Sequence, residues 1–335
     1  MVNSLFDKFK SLKVLVVGDV MIDAYLSGSV SRISPEAPVP IVEIKKRAYR
    51  IGGAANVAMN IKALGATPVL CSVIGSDEKA DIFSELLEKN GLPTEGICRS
   101  DKRKTTIKYR IVGNKAQMLR IDDEDTAELP ADEQEMLCTR IGEIVSRGGV
   151  DAVVFEDYDK GVLSKSVIDS VMALAKRHNI IVTVDPKKRN FNNYSGVDLF
   201  KPNLKELKEG LDNRSEVLEM AEIKQLMEDF ALRMGIGKMM TTLSERGIAV
   251  YDLKTRKFFS QPAFLRSISD VSGAGDTVIS VATLCLAAGL PADKMAIIAN
   301  LAGGIVCEYA GVVPIEAEVL KSHVVKELDG NIIFD

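Results

Sequence analysis

The spacing of hydrophobic and polar residues along the chain predicts an α/β fold. Short runs of β-branched and other apolar residues end at turn residues, as residues 13–17 do at Gly18, and this pattern is typical of buried strands. Between them lie segments with helical spacing of apolar residues, such as residues 53–64, which end at Gly65. Because strands that alternate with helices usually form parallel sheets, we expect a mainly parallel central sheet with helices on both faces.

This alternation assigns most of the chain to one layered body. The strands expected in its sheet are residues 13–17, 68–74, 152–155, 180–184, 198–200, 238–243, 247–251 and 257–260. The expected helices are residues 53–64, 77–90, 131–146, 164–177, 216–233, 273–288 and 292–308, with a further helix from about Asn203. Ser164 is expected to cap its helix, because a serine oxygen can accept a bond from a free amide of the first turn.

Two segments, at about 20–47 and 97–122, interrupt the alternation of strands and helices. Residues 106–111 alternate polar and apolar side chains, and Gly113 with Asn114 marks a tight turn before another short strand. Such alternation is typical of an antiparallel sheet with one solvated face. We therefore expect residues 1–335 to form a single domain in which these two segments build a small β lid.

Composition excludes several classes of protein. With 335 residues, of which 46% are hydrophobic and 27% charged, the chain can bury a sizeable core. A net charge of -4 argues against a dedicated nucleic-acid binder. The longest apolar stretches, 278–290 and 295–307, fall short of the ~18 residues of a membrane span, so no membrane insertion is expected. Five cysteines without a Cys-x-x-Cys pair indicate free thiols and fit a cytoplasmic protein.

The strongest candidate for chemistry is the segment Gly273-Ala274-Gly275-Asp276 at the start of a long apolar helix. The first amides of a helix have no intrahelical acceptor, and small residues let an anion approach them closely. Asp276 can accept a proton from a hydroxyl while these amides hold a phosphoryl group, and phosphoryl transfer to an alcohol requires both. The alternative is that its carboxylate simply caps the helix.

Small and polar residues near the ends of the first strands form a second candidate site. Gly52 and Gly53 permit close approach of the backbone to a ligand, and the Asn56 amide suits sugar hydroxyls as donor and acceptor. Asp19 follows the first strand at its carboxyl end, where ligands bind in open α/β sheets, and it can accept hydrogen bonds from a sugar. Tight packing between helix and sheet would explain the glycines equally well.

Asn203 and Glu206 form a third candidate, because residues three apart share one face of the first turn of a helix. An amide and a carboxylate beside a triphosphate can hold a magnesium ion, here through water. The competing interpretation is an asparagine N-cap followed by a glutamate, which is close to a capping box.

Together these segments resemble the signatures of the ribokinase-like (PfkB) carbohydrate kinases over nearly the whole chain. Residues 52–58, with Gly65 and Gly75, are similar to the N-terminal signature of the family, and residues 270–276 are similar to its C-terminal signature. The resemblance implies a ribokinase-like fold with a β-sheet lid, ATP and Mg²⁺ as cofactors, and Asp276 as general base.

The same resemblance implies roles for further residues. The amides of Gly273, Ala274 and Gly275 would form an anion hole for the transferring phosphoryl group. The implied nucleotide and magnesium site includes Asn203, Glu206, Thr242, Ser244, Gly247 and Asn300.

Within the family the chain resembles the kinases that phosphorylate the anomeric C1 hydroxyl of a heptose 7-phosphate, on the route to ADP-heptose and lipopolysaccharide. The similar segments are residues 31–40, 108–110, 117–122, 157–161 and 185–187, whereas residues 188–190 are more basic than in the relatives. A substrate that already carries a phosphate needs a basic pocket, and any one candidate for it is equally well a solvated charge. The candidates are Lys108, Arg110, Arg120, Lys160 and Lys187.

The resemblance also bears on partners and alternatives. Relatives often pair their lids across a dimer axis, so we expect a homodimer through the lid. Bifunctional relatives carry a second, nucleotidyltransferase domain, and here a separate adenylyltransferase would act downstream. The alternatives are a kinase of ribose, fructose 6-phosphate or a nucleoside, and a catalytically silent sugar-binding regulator. A dinucleotide-dependent oxidoreductase is disfavoured, since no Gly-x-Gly-x-x-Gly fingerprint follows the first strand.

Overall fold

The computed structural model describes residues 2–264 and 268–329 as an α/β fold with two sheets. Within these ranges the strands are β1 (Lys13–Gly18), β2 (Val20–Ile33), β3 (Pro40–Gly53), β4 (Thr67–Gly75), β5 (Ile97–Ser100), β6 (Ile107–Gly113), β7 (Ala116–Asp123), β8 (Ala152–Glu156), β9 (Ile181–Asp185), β10 (Leu199–Phe200), β11 (Lys238–Thr242), β12 (Ile248–Asp252) and β13 (Lys257–Gln261). The helices are α1 (Val2–Ser11), α2 (Ala54–Ala63), α3 (Glu78–Lys89), α4 (Ala131–Ser146), α5 (Lys165–His178), α6 (Leu204–Gly210), α7 (Met220–Met234), α8 (Ala274–Ala287), α9 (Ala292–Val306) and α10 (Ala317–Asp329). The predicted fold class is confirmed.

The large sheet follows the order β13-β12-β11-β10-β9-β8-β1-β4-β5 in the described residues. The strands from β11 through β5 are parallel, and β12 runs antiparallel to both of its neighbours. Because the carboxyl ends of parallel strands meet at one edge of a sheet, ligands bind there in open α/β folds. At this edge the chain places Asp19 after β1, Glu156 at the end of β8, Asp185 at the end of β9 and Lys201 after β10.

Both faces of the large sheet are covered, which explains the continuous apolar runs of its strands. In β1, Val14 and Val16 belong to one hydrophobic cluster with residues of α2, α8 and α9, whereas Leu15 and Val17 belong to another with residues of α4 and α5. Successive side chains of a strand point to opposite faces. A strand between two helical layers therefore has apolar residues at every position, and these four side chains are fully buried.

The small sheet is a lid of four strands in the order β3-β2-β6-β7 among the residues described. Strand β2 pairs antiparallel with β3 and parallel with β6, and β7 pairs antiparallel with β6. Residues directly opposite each other in register share a face. The charged face of the lid accordingly carries Asp23, Tyr25, Arg50, Lys108, Arg110, Arg120 and Asp122, and the apolar face carries Leu26, Tyr109, Ile111, Leu119 and Ile121.

The boundaries of the lid differ from the prediction. Its second segment was expected from about residue 97, but Ile97–Ser100 pairs in parallel with β4 at the edge of the large sheet, so the lid resumes only at Ile107. Four residues with two buried side chains give a pattern too short to assign to either sheet. The first segment continues to Gly53 rather than to residue 47, because β3 pairs with β2 as far as Val20.

Helix α1 has no counterpart among the predicted elements. Val2, Leu5, Phe6 and Phe9 have helical spacing and pack on the core, so the sequence carries a periodic signal here that the prediction overlooked. Ser164 caps α5 as predicted, since its hydroxyl oxygen accepts the amide of Val167. All five cysteines are free thiols, as expected. None of the helices in the described ranges is long and apolar enough to cross a bilayer.

Candidate active site

Asp276 lies in the first turn of α8 and is 5% exposed. Its Oδ2 accepts a hydrogen bond from Asn56 Nδ2 at 2.7 Å, and its Oδ1 accepts one from the Tyr158 hydroxyl at 2.9 Å. Asn56 belongs to α2 and Tyr158 follows β8, so two other elements hold the carboxylate. The cap residue of α8 is Gly273, and the described structure has no side-chain cap bond there. Asp276 therefore does not have the simple capping role considered from the sequence.

The environment of Asp276 sets its proton affinity. Burial raises its pKa to about 6, the hydrogen bond from Asn56 opposes this rise, and the negative charge of Asp185 adds to it. The Tyr158 hydroxyl and Lys201 lower the pKa again. A carboxyl group with a pKa just below neutral is ionised at pH 7 and still has appreciable proton affinity, which suits a general base.

The first turn of α8 offers the amides of Gly275 and Asp276, whereas the Ala274 amide, expected in the anion hole, already donates to the carbonyl oxygen of Val271 at 3.3 Å. Gly273 has a φ of +80°, a conformation that favours glycine, and a Cβ there would lie 2.9 Å from Asn56 Nδ2. The amides of Gly275 and Asp276 fall within the first turn, where helix geometry offers no acceptor. They stand at the positive end of the helix dipole and suit an anion.

A group of buried charges adjoins this turn. Glu156, Asp185 and Asp276 bring carboxylate oxygens to within 4.8 Å of one another, and Lys201 Nζ lies 2.8 Å from Asp185 Oδ2. Burial and then the charge of Asp185 raise the pKa of Glu156 well above its usual value. Glu156 Oε2 and Asp185 Oδ1 are buried without a hydrogen-bond partner in the described structure. Oxygen ligands in negative excess are what Mg²⁺ prefers, so this group fits the ion.

Asn203 and Glu206 form a complete capping box at the start of α6. The Glu206 amide donates to Asn203 Oδ1 and the Asn203 amide donates to Glu206 Oε2, each at 2.8 Å. The other oxygen of Glu206 pairs with Lys187. The competing interpretation as a helix cap therefore describes the local geometry, while a role beside magnesium stays a prediction.

One cavity of about 490 Å³ joins most of the predicted site residues; we call it the α8 cavity. Its walls bring the first turn of α8 together with the residues expected on the nucleotide side and with Lys187, which the sequence had assigned to the sugar phosphate. The predicted residues that line it are Asn203, Glu206, Thr242, Ser244, Gly247, Gly273, Ala274, Gly275, Asp276 and Asn300.

The second candidate site borders Asp276 from the side of the lid. Gly53 has a φ of +62°, and a Cβ there would lie 2.4 Å from the carbonyl oxygen of Asp19. A Cβ on Gly52 would lie 2.8 Å from the carboxylate of Asp23. The backbone thus passes too close to its neighbours for larger side chains, which is the packing explanation of the glycines. Asn56, in contrast, contacts the candidate base directly.

Asp19 has a structural task that its position in the sequence did not reveal. Its Oδ2 accepts the amides of Tyr158 and Lys160, at 2.9 and 3.0 Å, and its Oδ1 accepts the amide of Val162 at 3.0 Å. Asp19 therefore orders residues 157–162, which we call the 157–162 loop. Three of its about four acceptor positions are thereby used within the protein, and a contact with a sugar hydroxyl stays a prediction.

The basic residues near the lid are already paired with carboxylates. Lys108 binds Asp122 at 2.8 Å and Glu124 at 2.9 Å, and Lys160 binds the other oxygen of Glu124 at 2.6 Å. Arg120 shares Asp122, at 2.9 Å. These contacts form one chain of charges between the charged face of the lid and the 157–162 loop.

A second group of charges surrounds Tyr25 on the same face. Arg110 forms an ion pair with the buried Asp23, and the guanidinium groups of Arg50 and Arg110 each lie 5.3 Å from the centre of the Tyr25 ring. Arg50 Nη1 also donates to the carbonyl oxygen of Val312, at 3.0 Å. The lid therefore contacts the α/β body here through an exposed arginine that the sequence analysis did not select.

Tyr158, Glu156, Asp185 and Lys201 are the other site residues that sequence reasoning missed. Three of them lie at the carboxyl ends of strands that are otherwise apolar. A charged residue that ends an apolar strand is the signal that could have identified them, since such ends meet at one edge of the sheet.

A comparison with families of known proteins agrees with the fold. The model of the pfkB family carbohydrate kinases matches residues 11–318. The chain therefore belongs to the pfkB family of carbohydrate kinases.

Two curated relatives are similar to most of this chain. The bifunctional protein HldE of Methylobacillus flagellatus is 40% identical over 312 residues, which are 92% of this chain and 62% of that protein. The protein of the same name from Campylobacter jejuni subsp. doylei is 42% identical over 313 residues, 92% of this chain and 64% of that protein. The chain thus spans less than two thirds of the length of these two relatives.

Solved structures share the fold at low sequence identity. Phosphofructokinase-2 from Escherichia coli, in complex with potassium, superimposes with a TM-score of 0.76 and 17% identity, covering 95% of this chain and 99% of its own. Ribokinase from Arabidopsis thaliana, complexed with ribose and ATP, gives a TM-score of 0.69 and 17% identity, covering 95% and 98%. The ribokinase-like fold is thereby confirmed.

Substituting Lys201 by methionine is expected to lower the free energy of unfolding by about 3–5 kcal/mol, because the Asp185 carboxylate would remain buried without its ion-pair partner. Urea titration followed by circular dichroism at neutral pH measures the change. Lys238→Met is the matched control, since its pair with Asp252 is longer, at 3.5 Å, and more exposed; it should cost about 1 kcal/mol or less. Equal losses in both variants would contradict the argument.

Proposed function

We propose that the protein transfers the γ-phosphoryl group of ATP to the anomeric C1 hydroxyl of D-glycero-D-manno-heptose 7-phosphate and forms the 1,7-bisphosphate. The observation that carries the reaction class is Asp276, a buried carboxylate with a raised pKa beside free helix amides in the α8 cavity. The choice of sugar is supported by the similarity to the HldE proteins and by the basic lid. The product would feed ADP-heptose and lipopolysaccharide synthesis.

In the proposed reaction the carboxylate of Asp276 accepts the proton of the C1 hydroxyl. The sugar oxygen forms a bond to the γ-phosphorus while the bond from that phosphorus to the β–γ bridging oxygen breaks, and ADP leaves. The amides of Gly275 and Asp276, at the start of α8, would stabilise the oxygens on which charge develops. A positioned base of this kind contributes ~10²–10⁴-fold to the rate.

Magnesium would bind on the phosphate side of the cavity. Glu156 and Asp185, with their unpartnered oxygens, and Glu206 through water are the residues that would hold it. The bound ion supplies neutralisation of negative charge on the phosphates. Lys187 and Lys201 add positive charge in the same cavity.

The charged face of the lid is the proposed site of the sugar's own phosphate. Five cations there and in the adjoining loop (Lys108, Arg110, Arg120, Lys160 and Arg50) outnumber the three carboxylates that pair with them. A phosphate dianion can therefore bind without breaking every existing pair. Closure of the lid over the sugar would also keep water, a competing acceptor, away from the phosphoryl group.

A panel of sugars in an ADP-release assay tests the substrate. Heptose 7-phosphate is expected to give the highest kcat/KM. Ribose and a nucleoside, which carry no phosphate, should be at least ~10-fold lower, because a missing charge-assisted contact costs about 1.5–3 kcal/mol. Fructose 6-phosphate keeps a phosphate and should lie between them. Arg120→Ala should raise the KM for the sugar phosphate and leave the KM for ATP unchanged. Preference for another sugar would replace heptose as the substrate, and no turnover at all would favour a silent binding protein.

Asp276→Asn is expected to lower kcat by ~10² or more while ATP still binds, because the amide keeps the shape but cannot accept the proton. Calorimetric titration with ATP measures binding, and the ADP-release assay measures turnover. The native rate should fall as the pH drops below about 6, where Asp276 becomes protonated, and the variant should lack this acid limb. Near-normal turnover of the variant would remove Asp276 from the role of base.

We also propose a homodimer through the apolar face of the lid, where Leu119 is 56% and Ile121 48% exposed. Exposed apolar patches of this kind usually bind a partner. A separate adenylyltransferase would act on the product, and the free thiols suit a cytoplasmic location.

Leu119→Lys is expected to convert the dimer to monomer, because a charge would be buried at the interface. Sedimentation velocity at micromolar concentration measures the change. Leu232→Lys is the control, since Leu232 is 45% exposed on α7, outside the lid, and its substitution should leave the dimer intact. A native protein that sediments only as a monomer would end the proposal.

A further inference from the structure

Tyr158 contacts Asp276 from the 157–162 loop. Its hydroxyl donates to Oδ1 at 2.9 Å, while Asn56 Nδ2 donates to Oδ2 at 2.7 Å. The two donors belong to different elements and occupy different oxygens, so rotation of the carboxylate would break one bond or both. An ionised carboxylate has about four acceptor positions, and two of them stay open for a substrate hydroxyl.

The loop that carries Tyr158 is held rigidly by two buried carboxylates. Asp19 accepts the amide of Tyr158 itself, at 2.9 Å, together with two further amides of the loop. Asp157 Oδ1 accepts the amide of Asp159, and its Oδ2 accepts the Tyr194 hydroxyl at 2.8 Å. These bonds to backbone amides fix the point from which the Tyr158 side chain extends.

The ring of Tyr158 faces the nucleotide side of the site. Lys187 Nζ lies 5.4 Å from the centre of the ring, within the range of a cation–π contact, and pairs with Glu206 in the α8 cavity. Tyr158 therefore contacts a cation on the phosphate side with its ring and the candidate base with its hydroxyl.

We propose that Tyr158 is a positioning residue for phosphoryl transfer: its hydroxyl fixes the orientation of the Asp276 carboxylate so that the open acceptor positions meet the sugar hydroxyl. This inference rests on the proposed function, in which Asp276 is the base. Tyr158 itself gives up no proton and forms no covalent bond. Tyr158 acts on the geometry of the reacting groups, and small misplacements of a catalytic group lower the reaction rate strongly.

The test compares two substitutions that each remove one hydroxyl from a hydrogen bond to a carboxylate. Tyr158→Phe is expected to lower kcat by about 10- to 100-fold, the equivalent of one hydrogen bond to a charged group, with the KM for ATP unchanged. Tyr251→Phe is the matched control, because its hydroxyl binds the Glu228 carboxylate at 3.1 Å between β12 and α7, outside the 157–162 loop. Its kcat should stay within about 3-fold of native.

A double-mutant cycle separates positioning of the base from any other role. In the Asp276→Ala background, whose residual turnover is measured with excess enzyme, Tyr158→Phe should cause no further loss. An equal loss in both backgrounds would overturn the inference, as would a Tyr158→Phe enzyme no slower than Tyr251→Phe. Thermal unfolding of each variant checks that the folded state persists.

The two proposals fail in different measurements. If Asp276→Ala alone turns over at a near-native rate, the proposed function is wrong, and Asp276 is not the base. If Asp276→Ala is inactive and Tyr158→Phe is as active as the native protein, the base stands and the positioning role of Tyr158 is wrong.

Discussion

The structure depends on keeping the carboxylate of Asp276 ionised although it is buried. Burial alone would favour the neutral acid, and the nearby Asp185 pushes in the same direction. Two hydrogen-bond donors and the buried Lys201 oppose these effects and bring the pKa to about 6. The balance gives a group that is charged at neutral pH and can still take a proton. The opposing contributions come from α2, from the 157–162 loop and from the strand ends that carry Asp185 and Lys201.

The parallel sheet is what makes this balance possible. Strands β8, β9 and β10 end beside one another, so Glu156, Asp185 and Lys201 converge although they are far apart in the sequence. Helix α8 then points its first turn at the same edge. Since each charged residue ends a strand whose interior is apolar, the hydrophobic layers hold the charges in place without interrupting the core.

The sequence was sufficient for the fold class and for part of the lining of the α8 cavity, but not for Tyr158, Asp185 and Lys201. Periodicity identified the strands, and glycines followed by Asp276 indicated the anion site, because both signals are local in the chain. The edge strand Ile97–Ser100 was misassigned to the lid, since pairing partners are a property of the tertiary structure. For the same reason neither the bond from Tyr158 to Asp276 nor the amides bound by Asp19 were predicted.

The lid and Asp276, the candidate base, are linked through the 157–162 loop. Glu124, just after β7, joins Lys108 of the lid to Lys160 of the 157–162 loop, and the backbone of that loop carries Tyr158. A phosphate that binds Lys108 or Lys160 would weaken the ion pairs of these lysines with Glu124. Because Asp19 and Asp157 anchor the loop in the core, such a change alters contacts of the lid while Tyr158 keeps its place. One chain of ion pairs thus joins the lid to the loop that carries Tyr158, the residue bonded to Asp276.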